Sequence, residues 1–385
     1  MAWSDPKTWT ADDLLTASDL NQYVSDNLSA LYALVQGGGR KNLLHNGAMQ
    51  VHQRGTSTAS ITSSGRYTAD RWTFNVDTLG TWTQSVENDA PTGSGFRKSL
   101  KVLITANADT DPVDAADQVQ IQQVIEGQNL QAIKKGTSSA EPLTLSFWTK
   151  SNKTGTYVVR LADVDNSRHV CATYTVAASG TWEQQSITFP ADLTGAFDND
   201  NMDSLYVQWY LAAGSNYTSG TLPTTWAAFS ATNNAAGQTN LAAATNNYWQ
   251  ITGVQLETGS AATGFEFKGY EQELAECQRY FQRFGYVTNE RVATGVAISS
   301  TYSYLVFSHR TMRTTPSAYT LIGTMQVTIP EVVGVNVTSV TGSVLGPDAS
   351  ELLLGYSTNA AFVLGRAVLC NPADTSSYVG ISADL

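Results

Sequence analysis

Between Asn42 and about Tyr270 apolar residues recur at every second position, in short runs broken by turn-forming clusters, and that period dictates extended backbone. The runs are Arg71–Asp77, Thr81–Glu87, Ser99–Thr105, Gln118–Ile125, Leu143–Lys150, Thr156–Ala162, Cys171–Val176, Gln184–Phe189, Leu205–Leu211 and Tyr248–Leu256. The stretches 87–95 and 152–155 between them supply the Asn, Asp, Pro and Gly of tight turns. Many short strands in series, with no helical run between them, predict a sandwich or jelly roll. The segment 213–247, rich in Ala, Thr, Asn, Gly and Ser, is too long for a hairpin loop and is expected to wrap the surface.

At 385 residues the chain exceeds one ordinary core, so several units are expected. Residues 1–39 read as an N-terminal helix and linker. Thr16 caps it, Asp19 sits near the positive end of its dipole, and Leu20, Val24, Leu28, Leu31 and Val35 form one apolar stripe. Gly37, Gly38 and Gly39 end it, and the detached stripe is expected to attach the chain to copies of itself or to other proteins. Residues 40–270 form the sandwich and 271–285 a connecting helix, with Leu274, Cys277, Tyr280, Phe281 and Phe284 on one face. Residues 286–385 return to strands. The expected fold class is all-β with short helices: an N-terminal α-helix, a β-sandwich (jelly roll), a connecting helix and a smaller C-terminal β-domain.

Only 14% of residues are charged, and the net charge is −11. With a pI near 4.8 no basic stripe can neutralise phosphates, which argues against nucleic acid as partner. Cys171, Cys277 and Cys370 have neither zinc-ligand nor disulfide spacing and read as buried thiols. The N-terminus lacks the blocks of a secretion signal, and no run reaches the roughly 20 apolar residues of a membrane helix, so no membrane insertion is expected.

Markers of catalysis are missing. His45, His52, His169 and His309 are scattered, and no Gly-x-Ser-x-Gly elbow occurs. The chain is therefore read as no enzyme; a paired-carboxylate glycosidase, which needs no sequence proximity, stays open as an alternative. Three acidic loops, 109–117, 163–165 and 198–203, carry alternating Asp suited to calcium, but none has a full calcium-loop pattern and solvated turns are the favoured reading. No cofactor is expected. Arg54, Asp70 and Arg71 read as a buried ion pair bracing the start of the sandwich, with Trp72 anchoring the core.

Alternation also says which side chains point away from the core. Trp148 opposes Leu143, Leu145 and Phe147; Tyr206, Gln208 and Tyr210 oppose Leu205, Val207, Trp209 and Leu211. Gln120 and Gln122 oppose Val119 and Ile121, and Arg160 opposes Tyr157, Val159 and Leu161. If these strands share a sheet, its outer face offers aromatic rings for sugar stacking, with amides and a guanidinium for hydroxyls. The competing expectation is that the 213–247 segment or a neighbouring subunit covers the face.

Several blocks resemble the tail fibre and receptor-binding (minor tail) proteins of tailed bacteriophages, with a carbohydrate-binding-module-like jelly roll. Residues 8–21 and 26–28 are similar to their virion-proximal opening, and 42–55 with 67–72 to the start of the jelly roll. Residues 145–151 and 180–183 are similar to its central strands, and 246–260 with 277–280 to its close. The resemblance implies a structural virion protein that adheres to host surface glycans, a trimer as the homo-oligomer, and attachment to other virion proteins through the N-terminal helix. Related modules often hold a structural calcium, but their acidic residue near the first strand is not evident at Ala48, Met49 and Gln50. A capsid decoration or head fibre without ligand, and a polysaccharide depolymerase, are the alternative functions.

Overall fold

A computed structural model of the chain describes residues 41–106, 108, 113–329, 332–344 and 346–385, and before them 10, 14, 16–19, 21 and 24. The expected attachment stripe lies outside the described residues at Leu20, Leu28, Leu31 and Val35; Val24 is exposed. At its start Thr16 Oγ1 accepts from Asp19 N at 3.1 Å and Thr16 N donates back to Asp19 Oδ2 at 3.1 Å, a reciprocal cap on the Ala17–Asp19 turn.

The sandwich is built from β1 (Ser57–Ile61), β2 (Thr73–Asp77), β3 (Thr81–Glu87), β4 (Ser99–Ala106), β5 (Gln118–Glu126) and β6 (Leu143–Ser151). It continues with β7 (Gly155–Asp163), β8 (Arg168–Val176), β9 (Glu183–Phe189), β10 (Asp203–Ala213), β11 (Ala227–Ala228) and β12 (Tyr248–Thr258). One sheet has the order β1-β3-β4-β12-β6-β9 and the other β11-β8-β7-β10-β5-β2, all neighbours antiparallel. Counting β4 to β10 and then β12 as strands one to eight, the sheets read 1-8-3-6 and 5-4-7-2. That alternation between two sheets is the jelly roll.

Inward residues of both sheets make one core, in which Trp209 packs on Trp72 and Phe147 at ring distances of 5.6 and 5.7 Å. A bulge in β12 lies between Thr252 and Gln255, and Gly253 takes φ +61 there, a left-handed conformation that glycine adopts without strain.

The connecting helix is shorter than expected. It spans Tyr270–Gln278, and Phe281–Phe284 forms a strand, β13, paired with the chain's last strand. Aromatic residues at 280, 281 and 284 satisfy a helical stripe and a strand equally, and the free edge they pair with decides. The C-terminal part has its own core and two sheets. A closed barrel holds β14 (Ala293–Ala297), β15 (Tyr302–Ser308), β17 (Met325–Ile329), β18 (Val332–Val344), β19 (Ala349–Tyr356) and β20 (Ala367–Pro372). A three-stranded sheet joins β13 with β16 (Ala318–Ile322) and β21 (Tyr378–Ser382).

The buried ion pair expected at the start of the sandwich is present, Arg54 with Asp70, and the same residues also form the seam with the C-terminal sheet. Arg54 reaches Asp384 and, at 3.9 Å, Asp70, while its guanidinium lies 3.6 Å over the Phe281 ring. Arg71 stacks 3.4 Å over Tyr280 and donates to Val124 O at 2.6 Å. Burial pushes the Asp70 carboxyl up to about 6, because Arg54 is turned toward Asp384 and, with Gln53, does not offset the lost hydration.

Asp70 therefore gives a pH signature. Below the unfolded carboxyl value both states are protonated; between about pH 4 and 6 the unfolded chain ionises first, so stability falls as pH rises. The expected loss is roughly 2–3 kcal/mol at constant temperature. Asp70→Asn should abolish this component, so the wild-type minus variant difference, followed by urea unfolding from pH 4 to 7, slopes downward. A flat difference would contradict a buried, poorly paired carboxyl.

Candidate functional site

The outer face of the second sheet is a groove of about 500 Å3, within the roughly 300–1,000 Å3 typical of small-ligand sites. Its floor follows directly from strand register. Gln208 of β10 lies opposite Gln122 of β5 on one side and Arg160 of β7 on the other. Arg160 Nε donates to Gln208 Oε1 at 2.7 Å, and Gln208 Nε2 donates to Gln122 Oε1 at 2.8 Å. Next along, Tyr210 faces Gln120, which faces Asn75 of β2. Neutral amides thus orient one another in a fixed ladder, and the guanidinium ends it.

Six of the seven residues expected on a shared outer face meet here: Gln120, Gln122, Arg160, Tyr206, Gln208 and Tyr210. Trp148 does not. Its strand, β6, belongs to the other sheet, where Trp148 lies opposite Thr252 and Gln184. In this jelly roll β6 and β7 belong to different sheets, so outward on β6 and outward on β7 are opposite sides of the molecule. Around Trp148 the surface is tied up locally: Asp89 accepts from Lys150 at 2.8 Å, Trp182 Nε1 at 3.2 Å and Gln250 at 3.2 Å.

The face is neither open nor fully covered. Segment 214–239 lies along β7 and β8, held by Cys171 N to Pro223 O at 2.7 Å and Thr239 N to Thr156 O at 2.8 Å. Ala235 seals a small cluster with Val158, Cys171 and Tyr210. Tyr210 is accordingly 1% exposed and packs under the segment, so its ring is not a stacking surface. Gln208, Gln120 and Arg160 keep 4%, 5% and 7% exposure at the bottom of the groove.

The segment also brings residues that periodicity does not single out. The two-residue strand β11 pairs with His169 and Arg168, and Phe229 N then donates to Ser167 O at 2.8 Å. This holds the Phe229 ring at the groove's rim, 51% exposed and 5.5 Å from the Arg160 guanidinium. Tyr217 and Asn234 complete that wall. Three aromatics, Tyr217, Trp226 and Phe229, in an Ala- and Thr-rich stretch are the available signal, and they have no period to point with.

One end of the groove is a neutral ionic cluster. Lys135 Nζ lies 2.5 Å from Asp163 and 3.1 Å from Asp192, and Arg168 Nε lies 2.8 Å from Asp192. Burial pushes the Asp192 carboxyl up, but Arg168 and Lys135 outweigh it and hold the group below its ordinary range. Burial, then the Arg160 charge, push the His169 imidazole down to about 4, so it is neutral at pH 7.

A larger cavity, about 890 Å3, lies at the seam, between the helix and the barrel. Two of its charged groups already have partners: Glu276 takes His45 Nδ1 at 2.9 Å and Lys268 Nζ at 2.8 Å, and Arg279 pairs with Glu126 at 2.9 Å. Among the described residues His45, Glu273 and Glu276 are the one group close enough to share an ion. Lys268 already occupies the cation's place on Glu276. The acidic loops considered for calcium use their oxygens locally: Asp165 accepts from Asp198 N at 3.0 Å and Asp200 from Met202 N at 3.0 Å. Residues 109–112 lie outside the described ones.

No protein-family model matches the sequence, and no curated protein matches it. Among solved structures, the enzymatically active domain of bacteriophage CBA120 tailspike protein 4 aligns at 13% identity and TM-score 0.31, over 56% of this chain and 21% of its own. This chain thus spans about a fifth of that protein. The carbohydrate-binding module TmCBM61, solved with β-1,4-galactotriose, aligns at 10% identity and TM-score 0.29, over 57% of this chain and 99% of its own. A family 11 module from Clostridium thermocellum, solved with a mixed-linked tetrasaccharide, aligns at 13% and TM-score 0.25, over 54% and 96%.

Proposed function

We propose that the chain is a structural virion protein of a tailed phage, a tail fibre or receptor-binding protein that adheres to host surface glycan through the groove of its jelly roll. One observation carries the binding half: a preformed cleft whose floor is a register-locked amide ladder and whose rim is an exposed aromatic ring. Amides in a fixed ladder meet hydroxyls without the entropy of ordering, and a ring covers the apolar face of a sugar. The virion half rests on the resemblance of residues 8–21, 26–28, 42–55, 67–72, 145–151, 180–183, 246–260 and 277–280. Weak single-site adhesion, multiplied over the copies of a trimeric fibre, gives firm attachment, and no bond of the glycan need be broken.

Phe229→Ala tests the site, because the ring is exposed and its removal leaves no core cavity. Pull-down of host envelope polysaccharide by the full chain should weaken at least tenfold, about 1.4 kcal/mol, with an unchanged melting temperature. Unchanged binding would reject the groove. Loss of polymer viscosity on incubation would replace adhesion by depolymerisation, and particle labelling seen by microscopy would separate a tail position from a head fibre.

A further inference from the structure

We propose that the saccharide taken by this groove is acidic, and that its anionic group seats on the Arg160 guanidinium. This deepens, and rests on, the glycan-binding reading of the groove. Arg160 is 7% exposed, and a buried cation is costly unless it is paired. Its Nε bond goes to a neutral amide, Gln208. Its Nη1 is buried and has no hydrogen-bond partner among the described residues, and no described carboxylate forms an ion pair with it.

The acids nearby do not serve it. Asp163 and Asp192 are matched one for one by Lys135 and Arg168, so that cluster is neutral. Tyr210 and Phe229 lie 5.9 and 5.5 Å from the guanidinium, and their ring faces offset part of the charge without neutralising it. The imidazole of His169, held neutral beside Arg160, adds no second cation. An excess positive charge thus sits at the bottom of a cleft in a protein of net charge −11. The opposite end is marked differently, since Gln118 bonds Asp77 there at 2.7 Å. The groove therefore has a positive point on its floor between a neutral end and an acidic one, which orients a chain of sugars whose anionic substituent faces Arg160. A guanidinium fork suits a planar carboxylate or a tetrahedral oxyanion alike.

The full chain is titrated calorimetrically with oligogalacturonate, a neutral galactan oligosaccharide of equal length, a sulfated oligosaccharide and a glycerol-phosphate oligomer. At least one anionic ligand is expected to bind tenfold or more tighter than the neutral one, losing affinity between 50 and 300 mM salt; which arm binds identifies the oxyanion. Arg160→Gln should remove that preference, bringing the anionic and neutral ligands to within about twofold of one another, whatever the change in overall affinity. Should that variant not fold, Arg160→Lys, which keeps the charge and loses the fork, should keep the preference at reduced affinity. Equal binding of neutral and anionic ligands, or equal weakening of both by Arg160→Gln, overturns the inference and leaves the glycan reading standing. Absence of binding by every saccharide overturns both.

Discussion

Trp209→Ala is expected to cost about 4–5 kcal/mol of folding stability, near the upper end for truncating a buried aromatic. The indole is fully buried and packs against Trp72, just before β2, and Phe147 of the opposite sheet, so the cavity would open between the layers where neither sheet can collapse to fill it. Trp209→Phe should cost only about 1–2 kcal/mol, because the buried Nε1 has no partner among the described residues and no hydrogen bond is lost. The neighbour on the same strand points the other way. Gln208→Ala takes the hydrogen-bond partner from Arg160 Nε and Gln122 and should cost about 1–3 kcal/mol, less than Trp209→Ala, and act on binding as well. Urea unfolding of the three variants checks the set, and equal costs at 208 and 209 would contradict the two-faced strand.

Glu126→Ala should cost about 3 kcal/mol, the other large effect, and it acts at the seam. The carboxylate ends β5 with no exposure of its side chain and accepts from Arg279 Nη2 at 2.9 Å, Arg279 Nε at 3.2 Å and Tyr280 OH at 2.6 Å. Burial pushes this carboxyl up, but Arg279, Tyr280 and Gln128 outweigh it and hold it below its ordinary range. Alanine leaves the buried Tyr280 hydroxyl unpaired, while Arg279, partly exposed, rehydrates. Glu126→Gln keeps an acceptor for Tyr280 and should lose about half as much. Calorimetry that finds no change in either variant would show that the seam does not depend on this group.

Much of the sandwich is legible in the sequence, because period two is a direct consequence of the pleat. The strand runs between residues 71 and 258 start and stop within three residues of their observed ends. What period two cannot encode is the sheet to which an outward residue belongs. Trp148 and Arg160 are both outward, yet the jelly roll sends β6 and β7 to opposite layers. Nor does it encode what lands on the face. Tyr210 is outward and buried because Ala235 closes over it, and Phe229 arrives from a segment without any period. Tyr280 to Phe284 illustrate the third limit: a short aromatic run fits helix and strand, and only the unpaired edge of β21 selects the strand.

On the proposed binding mode the jelly roll's second sheet, not its first, receives the glycan. Hydrogen–deuterium exchange of the full chain, with and without host polysaccharide, distinguishes the two sheets. Added glycan should slow exchange in residues 118–122, 158–164, 206–210 and 227–231 and leave the Trp148 and Trp182 surface unchanged. Protection confined to that opposite surface, or none on either sheet, would contradict it.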